Sequence, residues 1–148
     1  MTRAPALIRY SAPITQRLLR AGIRMGPNML LTVRGRSSGL PRTAPVVVVE
    51  VDGRRWVVGT FGDVHWVRNL RAAGEAEIRV GRRLQHVRAV ELSLDEAAGF
   101  FGEVVTGYVR LLPLLWRIVT RALVRLAAPE VFTDPVRAAR SRPVFELI

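Results

Sequence analysis

Hydrophobic and polar positions change period several times along the 148 residues. Met29 to Arg34 (MLLTVR) follows the punctuation Gly26-Pro27-Asn28 and reads as a short strand. Thr43 to Val51 (TAPVVVVEV) is a β-branched run, Asp52-Gly53 is the strongest short hairpin signal in the chain, and Arg54 to Phe61 (RRWVVGTF) returns as its partner. The spacing turns helical over 64–73 (VHWVRNLRAA) and stops at Gly74. Ala76 to Val80 and Leu84 to Leu92 form a second hairpin that turns near Gly81-Arg82. Ser93 with Glu96 three positions later is a capping box, predicting a helix to about Val105. Pro143 to Ile148 (PVFELI) reads as a strand that closes the sheet. The order is helix, three strands, helix, two strands, helix, basic helix, strand, with no β-α-β alternation. It predicts a mainly β, α+β fold in which antiparallel strands form a small barrel rather than a doubly wound sheet.

Charge divides the chain further. All 23 basic residues are arginine, against 12 acids, for a net charge of +11. Residues 1–28 carry five arginines and no acid, and residues 107–148 carry seven arginines and three acids. The middle has eleven arginines and nine acids, an ordinary balance. The expected organisation is one domain over 1–148: a basic amphipathic helix over 1–27, a barrel core over 28–106, a basic apolar helical segment over 107–142 and a closing strand over 143–148. Arg9, Arg17, Arg20 and Arg24 interrupt the only stretch that resembles a signal-peptide core, which predicts a cytoplasmic protein. Arg110, Arg117, Arg121 and Arg125 interrupt the apolar run from Tyr108 to Ala128 and argue against a membrane span. On one continuous helix those four would fall within roughly 80° of one another, a narrow basic stripe beside a wide apolar face. Such helices dock on the barrel or a second subunit, or they lie peripherally on the inner face of the plasma membrane.

Composition then removes several chemistries. Without cysteine there are no disulfides, thiolates or cysteine-ligated metals. His65 and His86 alone, with no paired spacing, give no expected metal site. The absence of lysine removes Schiff-base and Walker-type lysine chemistry and leaves guanidinium as the only cationic side chain. No G-x-G-x-x-G occurs, so a dinucleotide fold is disfavoured. The arginines alternate with Leu and Ile rather than with aromatic residues, which argues against nucleic acid as the partner.

Two clusters carry candidate chemistry. Gly35-Arg36-Ser37-Ser38-Gly39-Leu40-Pro41-Arg42-Thr43 places two guanidinium groups, three hydroxyls and flexible backbone N–H groups between two strands, either an anion cradle or an everyday hairpin loop. Gly59 to Arg71 (GTFGDVHWVRNLR) places an aromatic, an amide and two arginines at the start of a helix. There Trp66 either walls a flat ring or fills the core. Together, G-R-x-S-G-x-P-R-T-x-P, a strand, a glycine-containing strand end, W-x-x-N-L-R and the trailing G-R-R-x-x-x-V-R-A at 81–89 resemble the deazaflavin (F420)-dependent nitroreductase family. The resemblance covers approximately residues 28–92.

That resemblance implies an FMN-binding-like split β-barrel with coenzyme F420 in a groove and hydride transfer at the deazaflavin carbon. It implies that Arg36, Ser37, Ser38, Arg42 and Thr43 hold the phosphate and acidic tail. The strand Ala44, Pro45, Val46 and Val47 would run beside the cofactor. Val58, Gly59, Thr60 and Phe61 would supply backbone contacts near the ring, and His65, Trp66, Val67, Arg68 and Asn69 would complete the pocket. The chain departs from the family where Ser37 replaces a common lysine, where Val67-Arg68 replaces an aromatic-histidine pair, and where a Leu/Arg helix with only Tyr108 nearby replaces a tyrosine-rich lid. Tyr108 is the candidate catalytic proton donor. The expected activity is F420-dependent reduction of a hydrophobic small molecule such as a quinone or enone, with a homodimer expected from the fold. An FMN-dependent reductase and a non-enzymatic binder of fatty acid or other lipid are the alternatives.

Overall fold

The computed structural model describes residues 28–127 and 129–148, together with Arg17 and Arg20, which are helical and exposed. The rest of the expected N-terminal helix, including Arg9 and Arg24, lies outside the described residues. Six strands, β1 (Asn28–Arg34), β2 (Pro41–Val51), β3 (Arg54–Val58), β4 (Glu75–Val80), β5 (Arg83–Glu91) and β6 (Val144–Leu147), close an antiparallel barrel in the order β1-β2-β3-β6-β5-β4. The Asp-Gly hairpin forms as expected. Asp52 and Gly53 both take positive φ, 52° and 76°, the geometry that matches a two-residue turn to the twist of its strands. Val51 therefore faces Arg54 and the whole β2–β3 register follows.

The unbroken apolar run in β2 has a direct cause: both of its faces are covered. Val46 and Val48 point into the barrel with Leu31, Val57, Ile78 and Phe145. Val49 and the partly buried Val47 point outward into a second core with Trp56, Phe100, Phe101 and Val144. Helix α1 (His65–Ala73) inserts Val67 and Leu70 into the first core and ends at Gly74, whose φ of 71° lets its N–H reach Leu70 O at 2.8 Å.

Three expected boundaries are corrected. Strand β3 stops at Val58 rather than Phe61, because the backbone turns away: Gly59 N–H donates to Pro143 O at 2.7 Å and Thr60 N–H to Val58 O at 3.0 Å. A Cβ on Gly59 would lie 3.1 Å from both Pro143 Cδ and Val67 Cγ2, so a larger residue there would press on both neighbours. The capping box at Ser93 is formed from both sides, with Ser93 Oγ accepting from Glu96 N and Glu96 Oε2 accepting from Ser93 N. The helix it opens, α2 (Leu94–Gly99), passes into a π-helical turn over Phe100–Val104 that buries both phenylalanines. It continues as α3 (Val105–Leu111). The predicted continuous basic stripe is broken as well. Pro113 forces Leu112 extended, with ψ at 146°, and separates α3 from α4 (Leu114–Ala127). Arg117 then turns back to donate to the terminal carbonyls of Arg110 and Leu112, at 2.6 and 3.3 Å, and leaves the stripe.

Two short helices, α5 (Glu130–Thr133) and α6 (Pro135–Ser141), lead to β6. Here Arg142 is buried and spans three groups: it donates from Nε to Thr60 O at 3.2 Å, and from Nη1 to Ser141 Oγ and to the Glu130 carboxylate. It thereby fixes the turn after β3 to the segment that delivers the closing strand. Glu130 sits below the usual carboxylate range, held there by its own backbone N–H and then by Arg142, with burial opposing. A second fastening joins α1 to β5. Arg71 grips Glu91 with two bonds of 2.7 Å and reaches Asp63 at 3.1 Å, while Arg68 donates to Asp63 at 3.0 Å.

Breaking the buried pair leaves one charge without a partner. Arg142→Ala is expected to lower the unfolding free energy by about 3 kcal/mol, the low end for such a loss because Glu130 retains some solvent contact. Urea unfolding at neutral pH measures this. Asp63 gives a pH signature: the Arg68 hydrogen bond, then Arg71, lowers its folded pKa below the unfolded value. Its contribution is fully present above the ordinary carboxylate range and is lost as pH falls through the lowered folded value. Unfolding curves between neutral pH and about pH 2.5 are expected to show a shallower acid loss for Asp63→Asn than for the unsubstituted chain.

Candidate functional site

The site grows from the β1–β2 connection and the start of α1. Gly35 folds the connection tightly: its N–H donates to Leu40 O at 2.8 Å and its carbonyl accepts from Gly39 N at 2.9 Å. A Cβ on Gly35 would lie 2.8 Å from Ser38 Oγ and 3.2 Å from Leu40 O, so a larger residue there would require the loop to shift. Opposite, α1 begins at Val64 without a side-chain cap, which leaves its first N–H groups for solvent or a ligand.

Between the two lies a cavity of about 590 Å³ lined by Gly35, Arg36, Ser37, Ser38, Arg42, Thr43, Ala44, Val64, His65, Trp66 and Asn69. Arg36 and Asn69, 33 positions apart, join across it. The buried Asn69 Oδ1 accepts from Arg36 Nη1 at 2.7 Å and from Arg36 N at 3.2 Å. Thr43 and Thr32 share a hydroxyl contact of 2.8 Å on the floor strands. No acid lines the cavity, and neither Arg36 nor Arg42 pairs with a carboxylate among the described residues. Two uncompensated guanidinium groups beside an uncapped helix start make the mouth electropositive, while Ala44, Val64 and Trp66 give it an apolar wall. Trp66 is therefore partly exposed at the wall while also packing on the first core.

The structure brings nine of the sequence-derived positions to this cavity: Arg36, Ser37, Ser38, Arg42, Thr43, Ala44, His65, Trp66 and Asn69. It places the others elsewhere. Val46 and Val67 are buried inside the barrel, and Val58 is buried in the second core with Val47 packed on it. Pro45 lies on β2 opposite Leu30, outside the lining. Gly59 is held against Pro143, Thr60 accepts from Arg142, and Phe61 follows them in the same turn, away from the lining. Arg68 is engaged by Asp63, and Arg71 is spent on Glu91 and Asp63. Tyr108 sits half-buried on α3 against the second core, with its hydroxyl pKa raised by burial and by the negative charge of Glu50. It does not line the cavity, because the packing of α3 on β2 holds it against the outer face of the sheet. Gly35 and Val64 line the cavity without having been singled out, although Gly35 opens the G-R-x-S-G motif and Val64 precedes the helical spacing.

The donor set fits a ligand with a phosphate, carboxylates and a flat ring: guanidinium and hydroxyl groups at one side, an indole and aliphatic carbons at the other. Comparison with known proteins agrees. The family model for F420H(2)-dependent quinone reductases matches residues 11–111, more than half of the chain. Among solved structures, an F420-H2 dependent reductase, FDR-A, is 26% identical with a TM-score of 0.50, over 82% of this chain and 94% of that one. A structure described as a domain-swapped dimer is 22% identical with a TM-score of 0.50, over 97% of this chain and all of its own, and supports the barrel fold. The chain belongs to the F420H(2)-dependent quinone reductase family, oxidoreductases whose cofactor is the deazaflavin F420.

Proposed function

We propose that the cavity between the Gly35–Arg42 loop and α1 receives F420 and that the substrate is a hydrophobic quinone or enone reduced beside it. The observation that supports this most is the pairing of two uncompensated arginines with an apolar, indole-walled surface in one cavity. When bound, the deazaflavin supplies a two-electron hydride donor. The protein's own part is binding and orientation. Arg36 and Arg42, with Ser37, Ser38 and Thr43, attract and fix the anionic portion. Trp66, Val64 and Ala44 cover an apolar ring and exclude water from one face. His65 lies at the exposed rim, where it meets whatever enters. Among the described residues no acid or base lines the cavity other than His65, so the reaction relies on positioning more than on proton transfer.

The α4 surface supports a peripheral position at an anionic membrane. Leu114, Leu115, Ile118, Leu123 and Leu126 are all more than half exposed, Arg121 and Arg125 are exposed among them, and α4 carries no acid. Among the described residues no helix is long and apolar enough to cross a membrane, so the contact is interfacial. A membrane is also where hydrophobic quinones reside.

Titration with oxidised F420, followed by ligand fluorescence at moderate salt, is expected to saturate at micromolar or lower concentration, with FMN binding more weakly. Arg36→Ala is expected to weaken F420 roughly tenfold or more, since a hydrogen bond to a charged group contributes about 1.5–3 kcal/mol. Equal affinity for FMN would instead favour an FMN enzyme, and saturable lipid with no F420 binding would favour a lipid carrier. Sedimentation with anionic vesicles is expected to carry the protein down, and Arg121→Gln and Arg125→Gln each to lower partitioning roughly fivefold at about 1 kcal/mol per charge. Equal sedimentation with neutral vesicles, or none with anionic ones, would leave α4 as a seam between subunits.

A further inference from the structure

We infer that Asn69 is a positioning residue that aims the Arg36 guanidinium at the anion site while leaving its charge intact, an inference that rests on the cavity being the F420 site. The two groups come from distant parts of the chain, and one oxygen does the joining. Asn69 Oδ1 accepts both from the Arg36 backbone N–H and from its Nη1, so it fixes the loop and the side chain at once. Asn69 itself has little freedom. It is 6% exposed and is flanked on α1 by Val67 and Leu70, both fully buried in the barrel core. The rigid partner is therefore the amide, and the exposed loop arginine is the group being placed.

The chemical identity of the acceptor matters. A long arginine side chain on an exposed loop samples many rotamers, and holding one of them before the ligand arrives removes that ordering cost from binding. A carboxylate at position 69 would hold Arg36 equally well, but it would cancel the charge that the ligand needs. A neutral amide oxygen orients without neutralising. Arg36 has no carboxylate partner among the described residues, in contrast to Arg54, Arg68, Arg71 and Arg142, each of which has one. Of the five guanidinium N–H donors of Arg36 one is given to Asn69, and the others stay available for an anion.

The test compares Asn69→Asp, Asn69→Ala, Arg36→Ala and the double substitution Asn69→Ala/Arg36→Ala in the full chain. Two probes are used, oxidised F420 by fluorescence and inorganic pyrophosphate by backbone amide shifts. Thermal unfolding without ligand provides the structural control. Asn69→Asp is expected to melt within a few degrees of the unsubstituted protein yet to bind either probe roughly tenfold more weakly or worse. Asn69→Ala is expected to weaken both probes roughly tenfold, and this loss is expected to vanish in the Arg36→Ala background, the signature of a residue that acts through another. Should Asn69→Asp fail to fold, the Asn69–Arg36 cycle decides alone. Undiminished binding by Asn69→Asp, or losses from Asn69→Ala and Arg36→Ala that simply add, would overturn the inference while leaving the F420 site in place. Coupled pyrophosphate binding without F420 binding would overturn only the cofactor reading. If the unsubstituted chain binds neither probe, both are overturned.

Discussion

Six antiparallel strands are left without a free edge only because Val144–Leu147 pairs with β3 on one side and β5 on the other. Unpaired edges cost hydrogen bonds and invite association, so the last strand carries more than its four residues suggest. It also serves both hydrophobic layers, since Phe145 and Leu147 point into the barrel and Val144 points out under the helices. The chain must therefore travel from α2 through α6 and return before the sheet is complete. Arg142 secures that return by tying the closing segment to Thr60 and to Glu130.

The candidate site depends on this closure. The turn from Gly59 to Asp63 is trapped between the closing segment and α1, which sets where α1 starts and hence where Val64, His65 and Trp66 stand. Arg71 and Arg68 hold Asp63 from the other side. With α1 fixed, its buried amide reaches the loop after β1, and the two clusters that are 33 residues apart become one cavity. Arginines divide between two roles. Arg68, Arg71 and Arg142 are neutralised by acids and fasten the fold, whereas Arg36 and Arg42 keep their charge at the cavity. In a chain without lysine, the distinction rests on partners rather than on residue type.

Much of this was legible in the residues. The β-branched run with Asp52-Gly53, the capping box at Ser93-Glu96 and the stop at Gly74 are local signals, and each is satisfied by backbone geometry within a few residues. The motifs around Arg36 and Trp66–Asn69 carried the family and its cofactor for the same reason: a loop and a helix start present their chemistry in sequence order. Long-range partnership was not legible. Arg68 and Arg71 look like site cations in sequence, yet Asp63 and Glu91 claim them once α1 packs on β5. The apparent four-arginine stripe assumed one helix, and Pro113 with the inward turn of Arg117 ended it.

The sequence by itself determined an antiparallel barrel, a loop rich in guanidinium and hydroxyl groups, and membership of an F420-using family. Those properties depend on composition and on spacing within ten or so residues. Only the tertiary structure decided which of the candidate residues share a cavity, which arginines keep an uncompensated charge, and that Tyr108 stands on the outer face of the sheet. These depend on which distant side chains meet when the last strand closes the barrel, and pairwise electrostatics falls off too steeply with distance to be read from order along a chain.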